Sequence, residues 1–230
     1  MNLTVDVISD VICPWCFIGK RRLEQAIRAR KGRNDVQVRW HAFQLNPSMP
    51  REGMDRRAYR SAKFGSWERS EALDGQVAAA GEAEGIDFAF DRIGRTPNTI
   101  DAHRLIALAG DRGVQDAVVE AYFRGYFTEG RDLSDRDSLL DLAVRAGLHG
   151  GRAESLLDSD EGLESLRAAE EQSRRLGVQC VPFFIVNCQV SISGAQGPQA
   201  FLDAFDQASV GDPAGEGDVC TVDASGKPSR

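Results

Sequence analysis

Two cysteines three positions apart, Cys13 and Cys16, sit where a strand-patterned run gives way to a helical one, in SDVICPWCFIGKRRLE, residues Ser9 to Glu24. This junction constrains the fold more than any other stretch. Before it, LTVDVIS alternates Leu3, Val5 and Val7 with Thr4, Asp6 and Ile8, a half-buried strand whose second face is also partly apolar. After it, Cys16, Leu23, Ala26 and Ile27 recur at helical spacing, while Lys20, Arg21, Arg22, Arg28 and Arg30 fall largely elsewhere. Gly32 and Asn34 stop the helix, and VQVRWHA restores period two through Val36, Val38, Trp40 and Ala42. The chain therefore opens with a β-α-β unit.

The middle, residues 47–176, reads mostly as helix. Asn98 or Thr99 can cap a helix carrying Ile100, His103, Ala107 and Gly110 on one stripe, and Val114, Val118, Tyr122 and Gly125 mark the next. Ser134, with Asp137 three positions on, resembles a capping box ahead of Leu139, Leu142, Ala143 and Ala146. A charged helix follows, from Leu163 to Leu176, and stops at Gly177. Strand character returns with PFFIVN and VSIS, and Pro198 to Ala208 suggests a last helix that starts at a proline. From Ser209 the composition shifts to Gly, Asp, Pro and Ser, which predicts a poorly anchored tail over 209–230.

With 230 residues, 42% of them hydrophobic and 27% charged, the chain can bury a sizeable core. Its 28 basic and 35 acidic residues leave a formal net charge of -7, which opposes attraction to nucleic acid and to anionic membrane. The longest apolar run, VPFFIV from Val181 to Val186, is far short of the ~20 residues that cross a bilayer. Met1 to Ile8 lacks the basic and apolar regions of a secretory signal, so the expected location is the cytoplasm. In a reducing compartment, five cysteines with one close pair suggest redox or metal chemistry rather than a disulfide scaffold.

Proline is well tolerated at the first helical position, so Pro14 at N1 makes Cys13 the N-cap. The Cys13 sulfur would then lie beside unpaired helix N–H groups and the positive end of the helix dipole, which favour thiolate, the attacking species in disulfide exchange. Cys16 lies on nearly the same helix face, within disulfide reach, and shares its stripe with Leu23 and Ile27. An exposed nucleophile and a sheltered resolving thiol are expected, with Trp15 offering an apolar surface at the mouth of the site. A zinc site would need two further ligands. No second C-x-x-C exists, and His41, His103 and His149 have no ligand-like spacing, so no metal is expected.

SDVICPWCFIGKRRLE, FQLNP, TPNTIDAHRL, YFTEGRDLSD, GVQCVPFFIVN and SGAQ occur in one consistent order between residues 3 and 206. Together they resemble the FrnE-like branch of the DsbA family of thiol-disulfide oxidoreductases. The resemblance implies an α/β, thioredoxin-like fold with an inserted all-helical domain. The thioredoxin-like part would be 1–46 and 177–208, and the insertion 47–176. It also implies dithiol-disulfide exchange, with Cys13 as nucleophile, Cys16 as resolving thiol and Pro182 as a cis-proline facing them. Pro14, Trp15, Val181 and Pro182 become the candidate substrate-binding residues, Val181 through strand addition to an extended peptide.

The expected activity is that of a cytosolic oxidoreductase or isomerase for protein or peptide disulfides. It needs no metal or organic cofactor; glutathione or thioredoxin is the candidate electron partner, and small thiols are further candidate substrates. Two rivals share parts of this reading. One is a glutathione-dependent transferase or isomerase of the kappa or hydroxychromene carboxylate isomerase type, which carries serine where Cys13 stands. The other is a peptide-binding holdase with the thiols as a redox sensor.

Cys180 stands where the family often has glycine. In an extended segment it would share a side with Pro182, making it a candidate third redox thiol, or else a small buried residue filling the glycine space. Cys188 and Cys220 are a candidate pair, although spacing fixes no connectivity. His103 reads as a core or domain-interface histidine. Tyr122, Phe123, Tyr126 and Phe127 read as core, with one or two members at the cleft, and Lys20 to Arg22 as a solvated helix face. Gln44, Asn46 and Pro47 read as a hinge or turn where the helical middle begins, with a lining role in the site as the lesser alternative.

Overall fold

In the computed structural model, which describes residues 3–30, 36–175, 177–210, 221–222 and 228–229, the first strand is Leu3–Ser9 (β1). It pairs in parallel with Val36–Ala42 (β2), Val5 opposite Val38. A parallel pair needs a crossover, and Pro14–Ala29 (α1) supplies it. On its other side β1 pairs antiparallel with Phe183–Val186 (β5), Val7 opposite Phe184. Val190–Ser193 (β6) closes the sheet, whose order is β2-β1-β5-β6. As an interior strand, β1 buries Leu3, Val5, Val7 and Ile8, which accounts for the apolar residue on its second face. The turn between β5 and β6 is tied back to β1: Thr4 N–H donates to Asn187 Oδ1 at 2.8 Å, and Asn187 N–H to the Thr4 carbonyl at 2.9 Å. The final helix, Pro198–Val210, packs on α1 and on this sheet, with Phe201 set edge-on to Phe184 at 4.8 Å between ring centres.

Between β2 and β5 the chain is mainly helical, as in a thioredoxin-like fold with a helical insertion. After a short strand Met54–Asp55 (β3) come Arg56–Phe64 (α2) and Trp67–Glu82 (α3), and then a short strand Arg95–Thr96 (β4). Ile100–Gly110 (α4), Gln115–Phe127 (α5), Arg136–Arg145 (α6), Gly150–Leu157 (α7) and Leu163–Arg175 (α8) complete the insertion, and Pro198–Val210 is α9. The pairing of β3 with β4 is a local departure from pure helix. It is held where Arg56 N–H donates to the Gly94 carbonyl and Tyr126 Oη to the Arg95 carbonyl. Asn98, outside the helix, caps α4 by accepting from Ile100 N–H at 3.0 Å. The cap of α6 is Asp135, which accepts from Ser138 N–H, and not Ser134, whose hydroxyl turns back to Asp132.

The insertion is fastened to the sheet by charge and by rings. Lys20 is only 2% exposed, and its ammonium meets Glu24 of α1 and Asp116 and Glu120 of α5. Arg21 pairs with Glu120 and Arg22 with Glu84, so the basic run expected to be solvated is instead the seam between α1 and the insertion. Sequence periodicity could not anticipate this, because the partner carboxylates come from other helices. Beside them Phe17 of α1 stacks on Phe123 of α5 at 5.2 Å. A second tie holds the exit of β2. Gln44 N–H donates to Glu170 at 2.8 Å, and the Gln44 carbonyl accepts from Arg174 at 2.7 Å, so two α8 side chains satisfy that residue's backbone as a neighbouring strand would. Arg104 of α4, fully buried, donates to the carbonyls of Leu156 and Ser159 at the end of α7 and of Glu161 beyond it.

Most of the tail expected to be poorly anchored lies outside the described residues. Cys220, the other half of the candidate Cys188–Cys220 pair, also lies outside the described residues.

Burial drives the Lys20 pKa down, but Asp116, Glu24 and Glu120 overcome it and hold the pKa above the ordinary lysine value. Burial drives Glu120 up, but Arg21 and Lys20 hold it below the usual carboxylate range. A carboxylate whose folded pKa is depressed stabilises the fold above its unfolded value, and that contribution disappears as pH falls through the folded value. Lys20→Gln should therefore destabilise the protein by about 2 kcal/mol at pH 7, less than a wholly buried pair because Asp116 is half exposed. Urea unfolding should show the gap from wild type shrinking as pH drops below the ordinary glutamate value of about 4.3. A gap unchanged between pH 7 and pH 3 would discard this electrostatic account.

Candidate active site

Cys13 takes an extended backbone (φ -91, ψ 110) before Pro14 starts α1, as an N-cap with proline at N1 requires. Its N–H donates to the Asp10 carbonyl at 2.9 Å, and its own carbonyl accepts from Cys16 N–H at 3.0 Å. The cysteine side chain makes no cap hydrogen bond. Its sulfur turns across the molecule to the Val181 carbonyl at 3.5 Å, a contact spanning 168 residues of sequence.

Both thiols are free, but the expected contrast in exposure is small: Cys13 is 5% exposed and Cys16 1%. Cys13 is covered because residues of the insertion and Val181 close over it, and it opens only into the cleft they share. Cys16 lies beneath. Burial pushes its thiol well above the ordinary cysteine value, and adjacent Cys13 pushes the same way, while the Ser9 hydroxyl and the Asp10 backbone pull it back. Trp15 is 41% exposed at the rim, as its position between the cysteines predicts.

The Val181–Pro182 peptide bond is cis. Pro182 itself is buried, not open to the cleft; its carbonyl accepts from Gly194 N–H at 2.9 Å. A Cβ on Gly19 of α1 would lie 3.0 Å from both Pro182 Cγ and Phe184 Cζ, so glycine there lets the cysteine-bearing helix cross close above the Pro182 loop. Of the four candidate substrate-binding residues, Pro14, Trp15 and Val181 line the cleft and Pro182 underlies it.

Cys180 is exposed, with its sulfur 3.6 Å from Ser193 Oγ on β6, and it is absent from the cleft lining. The chain bends at residues 180 and 181, so the alternation that would place Cys180 beside Pro182 does not apply. Neither the glycine-space filler nor the third thiol facing the pair describes this placement.

The cleft is a cavity of about 370 Å³. One wall is Cys13, Trp15 and Val181 with Leu45 and Asn46 of the FQLNP turn; the other comes from α2, α3 and the aromatic end of α5, including Tyr126 and Phe127. Among the lining residues that escaped sequence reasoning are Arg56, Arg60 and Lys63. Their spacing of four and three along α2 was a legible one-face pattern, but only the packed insertion turns that face toward the cysteines. Asp10 was also missed. It is fully buried just ahead of the pair, and its carboxylate accepts from Leu45 N–H at 2.8 Å and stands 3.4 Å from His103 Nε2. His103 is thus the interface histidine expected, bringing α4 against the loop that carries the cysteines. Among the described residues no cluster of metal-ligating side chains occurs.

The sequence profile of the DSBA-like thioredoxin domain matches residues 4–206. An uncharacterized protein of Bacillus subtilis, YwbO, is 29% identical over 209 residues, spanning 89% of this chain and 96% of that one. A probable DsbA oxidoreductase from Streptomyces coelicolor superposes with a TM-score of 0.85 at 31% identity, covering 100% of this chain and 99% of that one. The cytosolic disulfide reductase DsbM of Pseudomonas aeruginosa shares the fold, with a TM-score of 0.61 at 23% identity over 90% of this chain and 98% of DsbM.

The burial pattern orders the thiols by accessibility. Under brief iodoacetamide treatment of the native protein, peptide mapping should find that of Cys13, Cys16 and Cys180, Cys180 is alkylated first and Cys16 last. Labelling of Cys16 as fast as Cys180 would contradict the burial described here.

Proposed function

The chain belongs to the DSBA-like thioredoxin domain family, and from that premise we propose that it is a cytosolic dithiol-disulfide oxidoreductase and isomerase for protein or peptide disulfides. The observation that carries the proposal is the cysteine pair itself. Two free sulfurs sit on one turn at a helix start, one opening into a cleft and one sealed beneath it. In the forward direction the Cys13 thiolate attacks one sulfur of a substrate disulfide, forming a mixed disulfide and releasing the other sulfur as thiolate. Cys16, deprotonated, then attacks Cys13 Sγ; the Cys13–Cys16 disulfide forms and the second substrate thiolate leaves. Two electrons pass from the pair to the substrate, and the two cysteine protons balance the two new thiols. The reverse sequence oxidises a substrate dithiol, and both together shuffle disulfides.

The burial of Cys16 has a clear role in this cycle. A resolving thiol held protonated by its surroundings waits until Cys13 is in a mixed disulfide and no longer carries charge beside it. Pro14, Trp15 and Val181 would receive the substrate, its extended backbone replacing the Cys13 thiol at the Val181 carbonyl, while Pro182 supports the loop from below. The order of motifs supports the FrnE-like branch. The cytosolic setting is drawn from the likeness to the cytosolic reductase DsbM. A structure of DsbM with glutathione supports glutathione as the electron partner, with thioredoxin the alternative.

Cys13→Ser should lower insulin reduction and scrambled-ribonuclease refolding by roughly hundredfold or more, the scale expected on losing the attacking group. Cys16→Ser should instead trap a mixed disulfide visible by intact-mass spectrometry. If Cys13→Ser keeps an isomerase activity on small glutathione-dependent substrates, the serine-type isomerase is the better description. If wild type suppresses aggregation but exchanges no disulfide, the holdase is.

A further inference from the structure

The cleft carries more positive charge than the reaction needs. Arg56, Arg60 and Lys63 line it with a single carboxylate, Asp74, in a chain whose overall charge is -7. Asp74 is shared: its Oδ2 accepts from Arg56 Nη2 at 2.6 Å and its Oδ1 from Arg60 Nη2 at 2.7 Å. Lys63 has only neutral partners among the described residues, Asn46 Oδ1 at 3.0 Å and Tyr59 Oη at 2.9 Å. Three cations against one anion leave two charges uncompensated on the cavity wall. Burial, with Arg56 close by, already holds the Arg60 pKa below its ordinary value, against the opposing pull of Asp74.

The cations also stand on aromatic faces, the Arg60 guanidinium 4.9 Å from the Phe64 ring centre and the Lys63 ammonium 5.3 Å from that of Tyr59. Such faces hold the charged heads in place with reduced hydration, ready for an incoming anion. Asn46, which meets Lys63, also lies in the turn adjoining the cysteine wall, so the basic patch and the thiol share one cavity. At about 370 Å³ this cavity holds several atoms beyond a reacting sulfur.

We propose that Arg60 and Lys63, backed by Arg56, form a carboxylate-binding subsite that selects disulfide or thiol peptides carrying an Asp or Glu side chain close to the reacting cysteine. This rests on the exchange chemistry at Cys13 and adds the substrate class. The carboxylate would accept from Lys63 and from Arg60 Nη1, the Arg60 nitrogen that neither Asp74 nor Ser70 engages among the described residues. A peptide rather than a small thiol is the occupant because the cavity that holds the cations is also lined by Trp15, exposed at its rim, and by Val181, whose carbonyl can pair with an extended backbone.

Binding separates this proposal from turnover. Two short peptides that differ only in Glu or Gln next to an S-methylcysteine are titrated calorimetrically into the reduced full chain at low salt, and the corresponding disulfide peptides are assayed for reduction. Wild type should bind the Glu peptide about five-fold more tightly, the scale of one partly screened ion pair. The preference should vanish in Lys63→Gln and Arg60→Gln and invert in Lys63→Glu; Lys63 is exposed, so its variants leave the core intact. Equal binding of the two peptides by wild type, or a preference that survives all three variants, overturns the proposal. Tighter, Lys63-dependent binding of S-methylglutathione than of the Glu peptide also overturns it, assigning the subsite to the small thiol. Charge-selective binding without any peptide reduction would keep the subsite and remove the exchange reading; reduction without charge selection does the reverse.

Discussion

The site depends on one close approach, the crossing of α1 over the Pro182 loop at Gly19. Without a side chain there, the helix that begins at the cysteines lies directly on Pro182 and Phe184, and the Cys13 sulfur reaches the Val181 carbonyl. The pairing of β1 with β5 brings together segments that the whole helical insertion separates in sequence. Such an insertion costs little in closure entropy, since each doubling of loop length adds only about 0.6 kcal/mol. What makes the geometry specific is packing: Phe184 is buried between Gly19 and Phe201, where any shift of α1 would open a void.

The insertion is more than a cover. It supplies the carboxylates that neutralise Lys20, the rings that hold Phe17, and the histidine that meets Asp10 behind the cysteines. It also supplies the entire basic wall opposite Cys13. The cysteine pair therefore sits at a junction, carried on the sheet side and electrostatically surrounded from the helical side. An acidic protein can hold a locally positive cleft because low-dielectric walls shield that region from the surface charge.

Local pattern carried much of this fold. The seven residues of VQVRWHA are β2 itself, the FFIV and VSIS runs are β5 and β6, and Pro198 does begin the last helix. Expectations failed where remote neighbours set the outcome, and in one case where adjacent side chains competed for the same role. The Lys20 to Arg22 run has the composition of a solvated face and became a seam in which Lys20 is buried and Arg21 and Arg22 are partly so. Ser134 had the residue type of a cap, but its hydroxyl found Asp132 nearer and left the role to Asp135. Asp10 carries no periodic signal that marks it as buried, standing beside Ser9 where the strand ends and the loop to the cysteines begins.

By itself the sequence determined that a strand hands over to a proline-started helix bearing two sulfurs one turn apart. That follows from backbone preferences acting over a few residues, which no distant contact needed to enforce. Only the tertiary structure decided that Cys13 is covered, that Cys180 turns toward Ser193, that Pro182 lies under the cleft and not in it, and that three cations of α2 line the same cavity as the thiol. Each depends on where side chains from remote segments come to rest, and the energies that settle this, burial and charge pairing, act through space and not along the chain.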